Sequence, residues 1–327
     1  MIMKKLFFLL VSVLLFATMA ASLKYGAVTS SWQEVSETLF RFDTTNQVHQ
    51  LIYYLRLPRM IAAVFVGAAF AVSGALMQGI THNPLADSGL LGINAGAGLG
   101  LALVFAFMRT PNPAVTIFAS FMGAAVALGI IYIASSQLTF NHSPIYIVLL
   151  GAAIGSFFTA LSQSIRLLFR LDQEITFWFV GGTANVTWFQ IKVAVPIMLV
   201  GLIGSCFLSK QVTLLNIGEE SAISLGKNPQ KIRGQSMFCV LLLAGTAVSL
   251  VGTISFLGLI IPHIMRFFVG HDYRFVLPAS LLCGALFFVL ADVISRLFAQ
   301  PLEIPVGVII TLMGVPLLLI QIRRGSV

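Results

Sequence analysis

Residues 57–80 read LPRMIAAVFVGAAFAVSGALMQGI, and this stretch decides the fold class. Arg59, near its start, is its only charged residue. An α-helix needs about 20 mainly apolar residues to cross the hydrocarbon core of a bilayer. The stretch meets that length and that composition. The sequence therefore predicts a membrane-spanning helix here.

The rest of the chain repeats this pattern. Hydrophobic residues make up 58% of the 327 residues and charged residues only 9%, whereas a soluble domain carries about 25% charged residues. This composition excludes soluble enzymes, nucleic-acid-binding proteins and disordered proteins. Further apolar segments cover 6–23, 92–108, 114–136, 145–169, 191–208, 234–250, 254–269, 275–297 and 304–322. We expect an all-α integral membrane protein, one transmembrane domain over residues 1–327 with about ten spanning helices.

The first segment resembles a secretory signal peptide, because Lys4 and Lys5 precede it and small residues follow. A signal core is usually about 7–15 residues long, and the run 6–23 exceeds that. We therefore interpret it as a retained first helix. An even number of spans puts both termini on one side, and the two lysines favour the cytoplasm. We therefore expect the chain to lie in the cell membrane and to cross it several times.

The formal net charge of +8 does not indicate a nucleic-acid partner, because the basic residues are scattered at helix ends. Loop charges of this kind set membrane topology. Cys206, Cys239 and Cys283 lie in apolar stretches without metal-ligand spacing, so no metal site is expected. The P-loop pattern is also missing, since no Ser or Thr follows Lys227. We expect no catalytic residue and no cofactor in this chain.

Two other classes of membrane protein fit these residues less well. An ion-coupled secondary transporter needs intramembrane carboxylates that face a cavity, and Asp292 is the one candidate in the apolar segments. A membrane-embedded enzyme needs paired catalytic residues, and His263 and Asp292 form no known motif. Both classes are disfavoured.

The polar connection at about 209–233 carries the pattern E-x-A-x-x-x-G at residues 220–226. Glu220 would suit the start of a helix, where a carboxylate complements the helix dipole. Gly226 would end the helix in a left-handed conformation. A short helix in a polar loop between two spans could dock on another protein.

Other motifs occur in order along the chain. They are RLPR at 56–59, GAAFAVSGALMQ at 67–78, NPLAD at 83–87, GLLG at 89–92, GLIIPHIMR at 258–266, GHDYR at 270–274, ADVISR at 291–296 and EIPVG at 303–307. With the loop pattern, they make the chain resemble the FecCD family of ABC importer permeases over about residues 50–324. Members of that family serve ferric siderophores, haem and cobalamin.

The resemblance implies a cobalamin-importer-like permease fold of ten helices. It also implies a second permease subunit, the same chain or a sister chain, and two cytoplasmic ATPase subunits that hold ATP and Mg²⁺. An extracytoplasmic binding protein would deliver the cargo. The expected function is import of a ferric siderophore by alternating access. Haem or cobalamin import by the same machinery is the alternative.

The resemblance also assigns roles to residues. The ATPase-coupling residues would be Gly218, Glu219, Glu220, Ala222, Leu225 and Gly226. The residues that dock the binding protein would be Arg56, Arg59 and Arg296, for which the alternative is an anchor at the membrane interface. The cytoplasmic gate would be Asn141, His142 and Ser143. The pathway would be lined by Ser156, Thr159, Ser162 and Gln163, for which the alternative is hydrogen bonding of the hydroxyls within their own helix.

Overall fold

The computed structural model describes residues 2–26, 28–108, 112–137, 144–171, 182–298 and 303–323, and their regular elements are all helices. In chain order the α-helices are α1 Ile2–Lys24, α2 Trp32–Phe40, α3 Gln47–Thr81, α4 Ile93–Phe107, α5 Pro113–Gln137, α6 Pro144–Phe169, α7 Trp188–Ile217, α8 Glu219–Ser224, α9 Pro229–Val251, α10 Leu257–Val269, α11 Tyr273–Leu297 and α12 Val306–Arg323. A 3₁₀ helix, Ser88–Leu91, precedes α4. A single π-helical turn interrupts α3 at Leu51–Arg56 and another interrupts α9 at Leu241–Gly245.

Within these ranges, 7 helices are long and apolar enough to cross a membrane, namely α1, α3, α5, α6, α7, α9 and α11. The shorter apolar helices α4, α10 and α12 coincide with the other predicted segments. The connection between α1 and α3 contains the short helix α2, and the polar connection that follows α7 contains the short helix α8. The predicted all-helical membrane architecture is confirmed.

Helix α3 is the centre of the bundle, and it is buried from Ala62 to Thr81 except for two partly exposed positions. It contacts α7, α9, α10 and α11. Glycine permits the closest approaches. A Cβ on Gly67 would lie 2.4 Å from the Gly284 carbonyl oxygen, and one on Gly74 would lie 1.9 Å from that of Gly258. Backbones that approach this closely pack through dispersion forces, which matter in lipid because the hydrophobic drive between helices is small.

Asp87 lies in the connection between α3 and α4 and joins it to α10. Its Oδ1 accepts a hydrogen bond from the Ser88 backbone N–H at 2.7 Å. The same oxygen lies beside Gly258, where an added Cβ would come within 2.3 Å of it. Burial raises the pKa of the Asp87 carboxyl to about 6, although the hydrogen bonds from Ser88 oppose this shift.

Candidate functional site

The predicted loop helix is present as α8, Glu219–Ser224. Ala222 is fully buried and fixes one side of the helix against the bundle. Glu220, Ile223 and Leu225 are exposed. The short helix therefore presents one carboxylate and two apolar side chains outward, a surface that suits a protein partner. The sequence pattern did not single out Ile223, whose exposure depends on how α8 is seated.

Gly226 ends this helix as the sequence predicts. Its φ is +70°, in the left-handed region. Lys227 N–H donates to the Ala222 carbonyl at 2.9 Å, and Gly226 N–H donates to the Ile223 carbonyl at 2.8 Å. These bonds satisfy carbonyls that the helix end would leave unpaired. The end of α8 is therefore well defined.

Arg233 connects α8 to the central helix. Its guanidinium forms an ion pair with Glu219 in the first turn of α8, and its Nε donates to the Ile80 carbonyl of α3 at 3.3 Å. Arg233 is buried. The Glu219 carboxylate is thus held inward, and the proposed contact of Glu219 with an ATPase stays a prediction. Nothing in the local sequence around Arg233 indicated this role.

A buried charge cluster lies where α3 and α11 meet, with Asp292 at its centre. Asp292 is fully buried. Its Oδ1 accepts from Arg59 Nε at 2.9 Å and from the Thr183 hydroxyl at 2.6 Å, and its Oδ2 lies 2.9 Å from Arg296 Nη2. Arg59 Nη1 also donates to Glu303 at 2.8 Å. Ion pairs to this one carboxylate thus connect α3 and α11 inside the bundle.

The cluster extends to the end of α1. Arg56 Nη1 donates to the Leu23 carbonyl at 2.7 Å and to the Ser30 hydroxyl at 3.0 Å. Arg296 Nη1 donates to the Ser22 carbonyl at 3.1 Å, and its Nη2 donates to the Ser22 hydroxyl at 2.7 Å. The arginines thereby tie α1, α3 and α11 together.

The structure brings the three arginines predicted for docking to one end of the bundle. Their exposed fractions are only 5% for Arg56, 7% for Arg59 and 3% for Arg296. The guanidiniums contact acceptors inside this chain, so their docking role stays a prediction. Asp292 is fully buried and paired with two arginines, so it does not face a cavity as the carboxylate of an ion-coupled transporter does.

A cavity of about 880 Å³ lies between α4 and α6. The four predicted pathway residues all line it, and so do these others: Gly89, Gly92, Asn94, Ala95, Gly151, Ala152, Gly155, Ala160 and Arg166. The wall consists mainly of small and hydroxyl-bearing side chains. It is open to the outside of the subunit over the exposed face of α6.

The four predicted lining residues differ in their bonding. The hydroxyls of Ser156 and Thr159 donate at 2.8 Å to carbonyls one turn earlier in α6, and both residues are exposed. Ser162 is buried and donates to the Gly98 carbonyl at 3.4 Å. Gln163 is exposed. Cavity lining and hydrogen bonding within the helix thus occur together. The predicted gate, Asn141, His142 and Ser143, lies outside the described residues.

Within the described ranges, no group of three or more His, Cys, Asp or Glu side chains could hold a metal ion. Cys206, Cys239 and Cys283 are not joined in disulfides.

Comparison with known proteins gives concordant matches. The model of the FecCD transport family matches residues 13–324. The iron(3+)-hydroxamate import system permease protein FhuB of Bacillus subtilis (strain 168) is 39% identical over 307 residues, which cover 93% of this chain and 79% of that protein. The hemin transport system permease protein HmuU of Yersinia pestis is 33% identical, over 97% of this chain and 94% of that protein.

A solved structure has the same fold. It is described as an inward-facing conformation of a metal-chelate type ABC transporter. Its TM-score with this chain is 0.86 at 26% identity, and the match covers 97% of this chain and 98% of the other.

Proposed function

The chain belongs to the FecCD transport family, and from that membership we propose that it is the permease subunit of an ABC importer for a ferric siderophore. It is a transport subunit and not an enzyme, because hydrolysis belongs to a partner ATPase. The observation that carries the proposal is the cavity between α4 and α6. Its wall of small and hydroxyl side chains leaves room for a bulky polar solute within an apolar bundle.

The proposed cargo is an intact ferric chelate. In such a complex the chelator satisfies the iron, so the permease needs no ligand set of its own. The wall offers Asn94, Gln163 and the two exposed hydroxyls to a polar surface. The relative from Bacillus subtilis is named for iron(3+)-hydroxamate import, which supports a siderophore. The hemin permease of Yersinia pestis supports haem as the second candidate.

The proposed pathway lies between two permease subunits. The face of α6 that carries Ser156, Thr159 and Gln163 is exposed in the single chain, and a second permease facing it would close the cavity into a channel. Asn141, His142 and Ser143 are proposed as its cytoplasmic gate. Both termini are proposed to be cytoplasmic, which puts α8 on the side where ATP is available.

The proposed coupling element is α8. Two ATPase subunits that carry ATP and Mg²⁺ would each bind one such helix through Glu220, Ile223 and Leu225. The residues that hold the helix in position for this contact would be Gly218, Glu219, Ala222 and Gly226. Closure of the ATPases would move α8, and Arg233 would transmit that movement to α3. The two permease subunits would then open alternately to each side of the membrane.

Arg56, Arg59 and Arg296 are proposed to serve docking of an extracytoplasmic binding protein. The cluster contains three guanidiniums and two carboxylates, Asp292 and Glu303, and thus one net positive charge. Such a field steers an acidic partner and fixes its orientation more than it adds affinity. Direct ion pairs with the partner would require the arginines to exchange their present acceptors.

Uptake in cells that lack this chain tests the proposal. The gene is restored, and labelled ferric hydroxamate, ferric citrate and haem are supplied separately. Rescue of ferric siderophore uptake alone is the expected result. Rescue of haem uptake alone would refute the proposal that the cargo is a siderophore, and the proposal that the chain is an importer permease would stand. Uptake that continues when the partner ATPase is inactivated would overturn the ABC importer itself.

A further inference from the structure

A second cavity, of about 450 Å³, lies at the end of the bundle next to α8 and apart from the cavity described above. Its wall joins the ends of three helices. Gln78 and His82 come from the end of α3, Asn216 from the last turn of α7, His263 and Arg266 from α10, and His271 from the loop that follows α10. The proposed function uses none of these side chains.

The wall is rich in hydrogen-bond donors. Arg266 contributes a guanidinium, and one of its N–H groups donates to the Tyr273 hydroxyl at 3.0 Å. His82 donates its Nε2 proton to the Leu215 carbonyl at 2.6 Å, because a carbonyl can only accept. The cavity wall includes no carboxylate among the described residues. Asp272, next in sequence to His271, is engaged by Arg274 through two of its donors.

Gln78 leaves one acceptor unused in this wall. It is 2% exposed, and its Nε2 donates to the Leu259 carbonyl at 3.0 Å. These bonds fix the amide, and its Oε1 is buried without a hydrogen-bond partner. An unpaired buried acceptor costs about 1–3 kcal/mol. The cavity therefore suits a ligand that carries an anionic oxygen cluster for Arg266 and the imidazoles and also a hydroxyl for Gln78.

The surface beside the opening is apolar and aromatic. Phe267, which also lines the cavity, is 87% exposed, and Phe268 is 54% exposed. Phe7 of α1 stacks on Phe268 with ring centroids 5.4 Å apart, and Lys4 lies 4.2 Å above the Phe275 ring. A donor-rich cavity thus adjoins exposed rings and the basic start of α1.

We propose that this cavity binds the headgroup of an anionic phospholipid that carries a free hydroxyl, such as phosphatidylglycerol. The phosphate lies against Arg266 and His271, the hydroxyl donates to Gln78 Oε1, and the acyl chains cover Phe267 and Phe268. Basic pockets between spanning helices at the cytoplasmic side bind anionic headgroups, because their positive side chains pair with the phosphate. The lipid would brace the ends of α3, α7 and α10 next to the coupling helix.

The test uses the complete transporter with its partner subunits, reconstituted into nanodiscs of phosphatidylcholine and phosphatidylglycerol. Lipid that is retained after detergent exchange is counted by native mass spectrometry, and no cargo is present. The wild type should retain phosphatidylglycerol over phosphatidylcholine. Arg266→Gln and His271→Gln should each lower retention about fivefold. His271 makes no bond to Tyr273, so its variant separates lipid loss from misfolding.

Lys231→Gln is the matched control, because Lys231 is an exposed cation near α8 that does not line the cavity. It should retain lipid like the wild type. Equal retention in all variants would overturn the proposal. Equal retention of phosphatidylcholine by the wild type would do so too. Displacement of the lipid by millimolar inorganic phosphate would assign the site to a free anion, and no retention in the complete transporter would assign this face to a partner subunit. Each outcome leaves the transport proposal unaffected, since no uptake is measured.

Discussion

Arg59 of α3 and Asp292 of α11 are 233 residues apart in the chain, and the Nε of one lies 2.9 Å from the Oδ1 of the other. Arg296 contacts the second oxygen of the same carboxylate. One buried carboxylate thus pairs with two buried guanidiniums. Removing one partner of such an arrangement costs more than the arrangement contributes, because it leaves charge buried without compensation.

Asp292→Asn should therefore destabilise the fold by about 3–5 kcal/mol. Thermal unfolding in detergent measures the change. Asp43→Asn is the control, because Asp43 is exposed and its bonds to Thr45 can be made by an amide oxygen. An unfolding temperature for Asp292→Asn equal to that of the control would show that the cluster does not hold the helices.

Arg233→Gln should uncouple ATP hydrolysis from uptake, since it removes the link between Glu219 in α8 and Ile80 in α3. The number of ATP molecules hydrolysed per cargo molecule should rise several-fold in proteoliposomes, and Arg233→Lys should restore part of the coupling. Lys231→Gln, at an exposed neighbouring position, is the control. An unchanged ratio in Arg233→Gln would refute the linkage.

Glu220→Arg should abolish ATP-driven uptake while leaving the fold intact. The charge reversal at the start of α8 costs only about 0.3–1 kcal/mol through the helix dipole. A large loss of uptake would therefore report the lost ATPase contact. Gln230→Arg introduces an arginine at an exposed position nearby and should transport normally. Normal uptake by Glu220→Arg would show that α8 is not the coupling element.

Gly74→Ala should separate α3 from α10 and destabilise the protein by about 1–3 kcal/mol, as overpacking does. The added Cβ would lie 1.9 Å from a backbone oxygen that cannot move alone. Gly129→Ala is the matched control within α5, where a Cβ meets nothing within 4 Å. That change should be neutral or stabilise the helix by about 0.5–1 kcal/mol. Similar unfolding temperatures for both variants would contradict the close contact.

Asp87 should make stability depend on pH. Its pKa is raised to about 6 in the fold from an ordinary value of 3.8. The fold therefore favours the protonated carboxyl, and this contribution is complete below pH 3.8 and is lost as the pH rises through about 6. Asp87→Asn, which stays neutral, should gain stability relative to the wild type between pH 4 and pH 7. A constant difference in unfolding temperature across that range would rule out the shift.

Much of the fold could be predicted from the sequence, because spanning a bilayer leaves a strong local signal. The lengths of the apolar segments predicted where the helices lie, and Gly226 predicted where α8 ends. Both signals depend only on residues that are close together in the chain. The candidate site was predictable in part. Ser156, Thr159 and Ser162 follow one another at intervals of three residues in α6, so the helical repeat puts their hydroxyls near one face.

Only the tertiary structure decided where the polar side chains point. The family resemblance predicts that Arg56, Arg59 and Arg296 dock a binding protein, and it does not indicate their partners inside the chain. Folding surrounds them with Asp292, Glu303 and the carbonyls at the end of α1. The cavity beside α10 depends likewise on contacts among three distant segments. The length of an apolar segment is a local property that the sequence determines by itself. The pairing of charges depends on the distances that folding creates between residues far apart in the chain.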